Sequence, residues 1–171
     1  FTNKTMSHER FVLPQDVKPL VHSLTLEPDL EKFTFSGQQS IKFAFNNKTN
    51  VVFLNAKDLD ITSCTAELVN GTKLTAAISI DTSLLILFLQ KKLNFIPLGN
   101  ERVSFTFPEE ITCDGSLVMS WTGTLNDQMV GFYRSKYTIG NETRHNATTQ
   151  FEPNDARRCL PCWDEPNVKA V

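Results

Sequence analysis

The chain has 171 residues and a formal charge of −2, and 40% of its residues are hydrophobic, 13 of them Phe. That apolar content can build a core, and it excludes the low-hydrophobicity, high-charge composition of a disordered chain. No basic excess points to nucleic acid or to an anionic membrane. The longest apolar run, 84–89, is far short of the ~20 residues that a membrane-spanning helix needs.

A length of this order fits one domain, which buries ~70% of the surface its unfolded chain exposes and needs no disulfide or metal to hold it. The start reads Phe1-Thr2-Asn3-Lys4-Thr5 and then Met6-Ser7-His8-Glu9-Arg10. It has no basic segment leading into an apolar one, so no signal peptide is expected. Residues 1–9 read as a flexible polar segment and 10–171 as a β domain. The domain is expected to be truncated at its C-terminal end, because Lys169-Ala170-Val171 carries no turn or capping signal.

From there the pattern has period two, which means strands. Leu24 and Leu26 alternate with Ser23 and Thr25 until Pro28, which is expected to end the run. Phe33 and Phe35 alternate, Gly37 interrupts as a bulge or bend would, and Ile41, Phe43 and Phe45 resume. Short strands follow at 51–54 and from Leu59. Residues 67–69 and 73–80 flank Asn70-Gly71, a hairpin signal whose two central residues favour positive φ. The apolar run 84–89 predicts a strand buried on both faces, and 91–100, with Pro97 and Gly99, a loop. Val103, Phe105 and Phe107 alternate up to Pro108, and three more strands are expected at 117–123, 132–139 and 143–151, the last two joined by Gly140-Asn141. Ten or more short strands with regular turns predict an all-β fold of curved antiparallel sheets or a β-sandwich. Helical spacing is confined to one turn near 153–158, which Asn154 or Asp155 would cap.

Candidate chemistry is sparse. His8, His22 and His145 include no i, i+4 pair, so H-E-x-x-H is missing, and the chain has neither a glycine-rich phosphate loop nor a serine nucleophile elbow. Cys159-Leu160-Pro161-Cys162 has C-x-x-C spacing, but it lacks the βαβ context of a redox dithiol and the further ligands of a zinc site, so two small side chains in a packed turn are expected. Asn3, Asn47, Asn70, Asn141 and Asn146 head N-x-[ST] sequons, which would suit a secreted or luminal chain. In a chain rich in Asn, Ser and Thr they carry little weight, and the cytoplasm is the expected compartment. The segment 148–166 is dense in charge, which ordinarily means solvated surface. Within it Trp163 sits among acids and cannot lie wholly in water. Alternation places Gln150 and Glu152 on one face, beside an aromatic expected to be buried, and such a pair could receive an ammonium group.

Two blocks carry a resemblance. Leu125-Asn126-Asp127-Gln128-Met129-Val130-Gly131-Phe132-Tyr133-Arg134 and Thr149-Gln150-Phe151-Glu152-Pro153, continuing through Asp155-Ala156-Arg157-Arg158 to Pro161-Cys162-Trp163-Asp164-Glu165-Pro166, closely resemble the N-terminal domain of the gluzincin zinc aminopeptidases, nearest to the puromycin-sensitive branch. The likeness extends from about Arg10 to Val171. The chain departs from the family at His22, where Tyr is usual, and at Cys159, where a small residue is usual. It contains neither the G-A-M-E-N loop nor the H-E-x-x-H helix of the catalytic domain.

The resemblance implies a saddle-like β domain and a substrate role for two residues. Glu152 would bind the α-amino group of a peptide with a free N-terminus, and Gln150 would line the first specificity pocket. Arg134, Asp155, Arg157, Trp163 and Asp164 would hold the turn in place. No zinc is expected on this chain. The metal would belong to the catalytic domain, and the chain by itself should be inactive. The alternative is a stand-alone, non-catalytic binding or scaffold module derived from such a domain, with a protein partner covering the face that would meet the catalytic domain.

Overall fold

A computed structural model describes residues 12–80 and 101–171. The segment 1–9, the apolar run 84–89 and the loop 91–100 lie outside the described residues. The ten described strands are β1 (Val17–Asp29), β2 (Thr34–Phe45), β3 (Thr49–Asn55), β4 (Leu59–Leu68), β5 (Lys73–Thr75), β6 (Ala77–Ile80), β7 (Arg102–Ile111), β8 (Gly115–Thr124), β9 (Gly131–Ile139) and β10 (Glu142–Gln150). They form an antiparallel five-stranded sheet in the order β1-β2-β8-β4-β5, a three-stranded sheet β3-β7-β6 and a two-stranded ribbon β10-β9. The fold is all-β and sandwich-like.

Alternation explains how the first two sheets share a core. Phe35, Ile41 and Phe43 on β2, Leu117, Met119 and Trp121 on β8, and Leu59, Ile61, Cys64 and Ala66 on β4 are buried. They join one hydrophobic cluster with Val52 and Leu54 of β3 and Val103, Phe105 and Phe107 of β7. The ribbon is mostly exposed, with Tyr137 and Ile139 in solvent. A two-stranded ribbon is marginal in water without support, and here Phe132 supplies it, buried at the ribbon's base with its ring 5.1 Å from that of Phe35.

Several strands depart from their expected form. Pro28 does not end β1, which pairs with β2 up to Asp29. The strand is at the sheet edge, and its other proline, Pro19, stands at a register shift, so neither breaks a central ladder. Gly37 is not a bulge, because the β1–β2 and β2–β8 registers run through it without a shift. Its missing side chain makes room for Trp121, whose indole lies 2.2 Å from where a Cβ would stand. The segment 73–80 is two strands, β5 in the large sheet and β6 in the small one, so the chain crosses between layers at Ala76. At 68–72 only Gly71 has positive φ (90°). Its N–H bonds Leu68 O, and Leu68 N–H bonds Thr72 O, the pattern of a three-residue hairpin loop. Strand β7 passes Pro108 and reaches Ile111.

The last part of the chain closes the sandwich. A 3-10 turn, Ala156–Arg158, leads into a strap in which Cys159, Cys162 and Trp163 are buried. The strap bridges both sheets through side chains that are polar yet buried. Trp121 Nε1 donates to Cys159 O at 2.9 Å, and Gln39 Nε2 donates to Pro161 O at 2.6 Å. Asn55 and Cys162 exchange backbone bonds of 2.7 and 3.0 Å, and Asn55 Nδ2 bonds Trp163 O. Gln39 and Asn55 are the buried polar residues of the described core, and each satisfies strap carbonyls that would otherwise be stranded away from water.

Gln39 also faces His22, whose Nδ1 lies 3.3 Å from Oε1. The amide NH₂ is committed to Pro161 O, so Nδ1 carries the hydrogen. Burial lowers the His22 pKa below 6.5, and the Gln39 bond only partly opposes it. The unfolded chain therefore takes up this proton at higher pH than the folded one, and the His22 contribution is full above about pH 6.5 and lost as pH falls below it. Denaturant midpoints at pH 7.5 and 5.5 should show wild type losing more stability than His22→Tyr. An equal loss in both would remove His22 from the acid response.

Candidate functional site

Strand β10 ends at Gln150, whose Cα partner is Gly131 at the start of β9. The chain then turns. Asp155 N–H bonds Phe151 O at 2.7 Å, and the 3-10 turn begins at Ala156. Gln150, Phe151 and Glu152 are all exposed. The buried aromatic of this segment is Trp163 and not Phe151. Phe151, next to Glu152 in sequence, is 38% exposed.

Most charges of the turn and strap have internal partners among the described residues. Arg157 Nε donates to Asp164 Oδ2 at 2.7 Å, and its Nη1 donates to Glu101 Oε2 at 2.7 Å. Lys57 pairs with the other Glu101 oxygen. Arg158 Nε donates to Asp155 Oδ1 at 2.9 Å, and its Nη1 bonds Asp58. Glu165 Oε1 accepts Leu13 N–H at 2.7 Å. The other Glu165 oxygen is buried without a partner, whereas Glu152 is exposed and its carboxylate has no hydrogen bond or ion pair among the described residues.

Arg157 and Asp164 are thus brought together. Asp155 pairs with Arg158 rather than bonding the backbone of the turn that it precedes. Arg134 stands apart from this network. It donates to Leu125 O and to Asp127 (3.2 Å), and its guanidinium lies over the Phe33 ring at 4.5 Å, so it holds the loop before β9. Trp163, 2% exposed, is packed in the core. Glu101, Lys57, Asp58 and Arg158 were missed by sequence reasoning. Their partners lie 44 to 100 residues away, apart from the Arg158–Asp155 pair, and no local pattern marks them.

The C-x-x-C thiols are both buried and free, and desolvation pushes Cys159 and Cys162 up to about 12. A redox dithiol needs a thiolate near neutral pH, and these are the reverse. Among the described residues no group of three or more His, Cys, Asp or Glu could hold a metal ion. Nor does any described helix have the length and apolarity to cross a membrane.

The model of the peptidase M1 N-terminal domain matches residues 18–171. The chain belongs to that family. It is 36% identical to Aminopeptidase 2 of Candida albicans over 167 residues, covering 96% of this chain and 16% of the relative. With Aminopeptidase 2, mitochondrial, of Saccharomyces cerevisiae it shares 39% over 175 residues, covering 98% and 16%. With Aminopeptidase M1-D of Oryza sativa subsp. japonica the figure is 39% over 158 residues, covering 92% and 16%. The chain therefore spans about a sixth of the length of these relatives.

Proposed function

We propose that this domain forms one wall of the substrate cleft of a zinc aminopeptidase. Glu152 receives the α-amino group of a peptide, and Gln150 faces its first side chain. One observation carries this reading. In a segment where Asp155, Asp164 and Glu165 all have internal partners, Glu152 is exposed and keeps its carboxylate free. A carboxylate with no internal cation is available to an external one. Once a closing partner excludes water, the contact is a charge-assisted hydrogen bond worth about 1.5–3 kcal/mol. That would favour chain ends over internal peptide bonds.

Zinc, which supplies an activated water in metallopeptidases, belongs in this proposal to a catalytic domain outside the chain. The puromycin-sensitive branch and the cytoplasm are likewise parts of the proposal. The four cysteines are free thiols, which suits a reducing compartment. In the enzyme that joins this domain to its catalytic domain, Glu152→Gln should raise KM for free-amine peptides by about 10- to 100-fold. A Michaelis constant left at the wild-type value would end the assignment.

A further inference from the structure

The Glu152 side chain has no hydrogen bond or ion pair among the described residues, yet the turn that carries it is held at both ends. Asp155 N–H closes the turn on Phe151 O at 2.7 Å. The Asp155 carboxylate is held by Arg158 Nε at 2.9 Å, and the same guanidinium reaches Asp58 in the loop between β3 and β4, 100 residues away in sequence. Asp58 is itself held in the left-handed region, at φ 57°. The Arg158 stem closes the circuit. A Cβ on Gly131 would stand 2.5 Å from Arg158 Cβ and 3.3 Å from Asp155 O, so β9 begins pressed against the 3-10 turn at a residue with φ +68°. Gly131 in turn is the Cα partner of Gln150.

We infer that Arg158 is a positioning residue for the Glu152 turn, locking it to the sandwich through Asp58 and to the ribbon through Gly131. The inference rests on the amine-anchor reading of Glu152. The physical case is that a carboxylate on an unbraced turn samples many positions, and recognising a small ammonium group requires its place to be set in advance. Arg158 supplies that without touching substrate. A planar guanidinium can bond two carboxylates at once from one rigid fork, which an ammonium group cannot do with the same geometry.

The test is steady-state kinetics in the enzyme that carries this domain together with its catalytic domain. Arg158→Gln should raise KM for a free-amine peptide about tenfold while kcat stays within twofold, and Arg158→Lys should recover part of the loss. In the Arg158→Gln background, adding Glu152→Gln should raise KM little further, because the anchor is already misplaced. Multiplicative effects of the two changes, or a wild-type KM in Arg158→Gln, overturn the positioning role. If Arg158→Gln does not fold, Asp58→Ser carries the same test, since it withdraws the carboxylate from one arm at an exposed site. A raised KM with kcat kept supports the role, and an unchanged KM overturns it. A wild-type KM in Glu152→Gln overturns the anchor reading instead, so the two failures are distinguishable.

Discussion

Trp121→Ala should cost about 3–5 kcal/mol of stability, the range for removing a large aromatic from a packed core. Trp121 is 1% exposed on β8, between its neighbours β2 and β4. Its ring fills the space that Gly37 leaves, and its Nε1 holds Cys159 O. Truncation opens a cavity and also strands a buried carbonyl, and the second effect alone is worth about 1–3 kcal/mol. Trp121→Phe separates the two, because it keeps most of the ring and loses the N–H. Urea denaturation of the three proteins is the measurement. The expected order is wild type, then Phe, then Ala. Val118→Ala, on the opposite face of the same strand and 38% exposed, should stay within about 0.5 kcal/mol of wild type. A Trp121→Ala loss no larger than that of Val118→Ala would mean that the sheet faces are assigned the wrong way round.

Arg157→Leu is the second large effect. The side chain is 13% exposed and lies between Glu101 and Asp164, which are 14% and 16% exposed. Removing it leaves two desolvated carboxylates, one of them still paired with Lys57. Breaking a fully buried pair costs about 3–5 kcal/mol; the residual solvent here brings that to about 2–4 kcal/mol. Adding Glu101→Gln and Asp164→Asn should recover part of the loss, since no buried carboxylate is then left uncompensated and the Lys57 ammonium that loses its partner is the more exposed member of its pair. The pH dependence gives an independent check. Burial by itself would raise the Glu101 pKa, but the Lys57 and then Arg157 hydrogen bonds and charges outweigh it, and the net shift is downward from 4.5. A carboxyl depressed in the folded state stabilises the protein above its unfolded pKa and loses that contribution as pH falls through the folded value. The stability gap between wild type and Arg157→Leu should therefore be widest near neutrality and shrink below about pH 4.5. A gap that widened in acid would contradict the network.

Much of this architecture was legible because strand alternation is a local property. Phe35, Ile41 and Phe43, or Val103, Phe105 and Phe107, declare their inward face within a few residues. What escaped was set by neighbours distant in sequence. Gly37 reads as a break until Trp121 is brought over it. Gln39 looks like a surface residue until the Pro161 carbonyl arrives to be bonded. Residues 73–80 read as one strand because nothing local says that its two halves join different sheets. At the candidate site, strand alternation singled out Gln150 and Glu152 as a pair, and the likeness of their block to a known family supplied the separate roles proposed for them. Arg158 was not singled out, since its Asp58 partner is fixed by tertiary folding alone.

The strap also dictates when the domain can be completed during synthesis. Gln39, Asn55 and Trp121 are made early, but the carbonyls they bond belong to residues 159–163. Until those residues leave the ribosome, Gln39, Asn55 and Trp121 lack the partners that they bond in the finished domain. Non-local pairing of this kind is slow and leaves apolar surface open meanwhile. The interval before residue 163 emerges is the one in which this polypeptide most depends on being shielded from other unfinished chains.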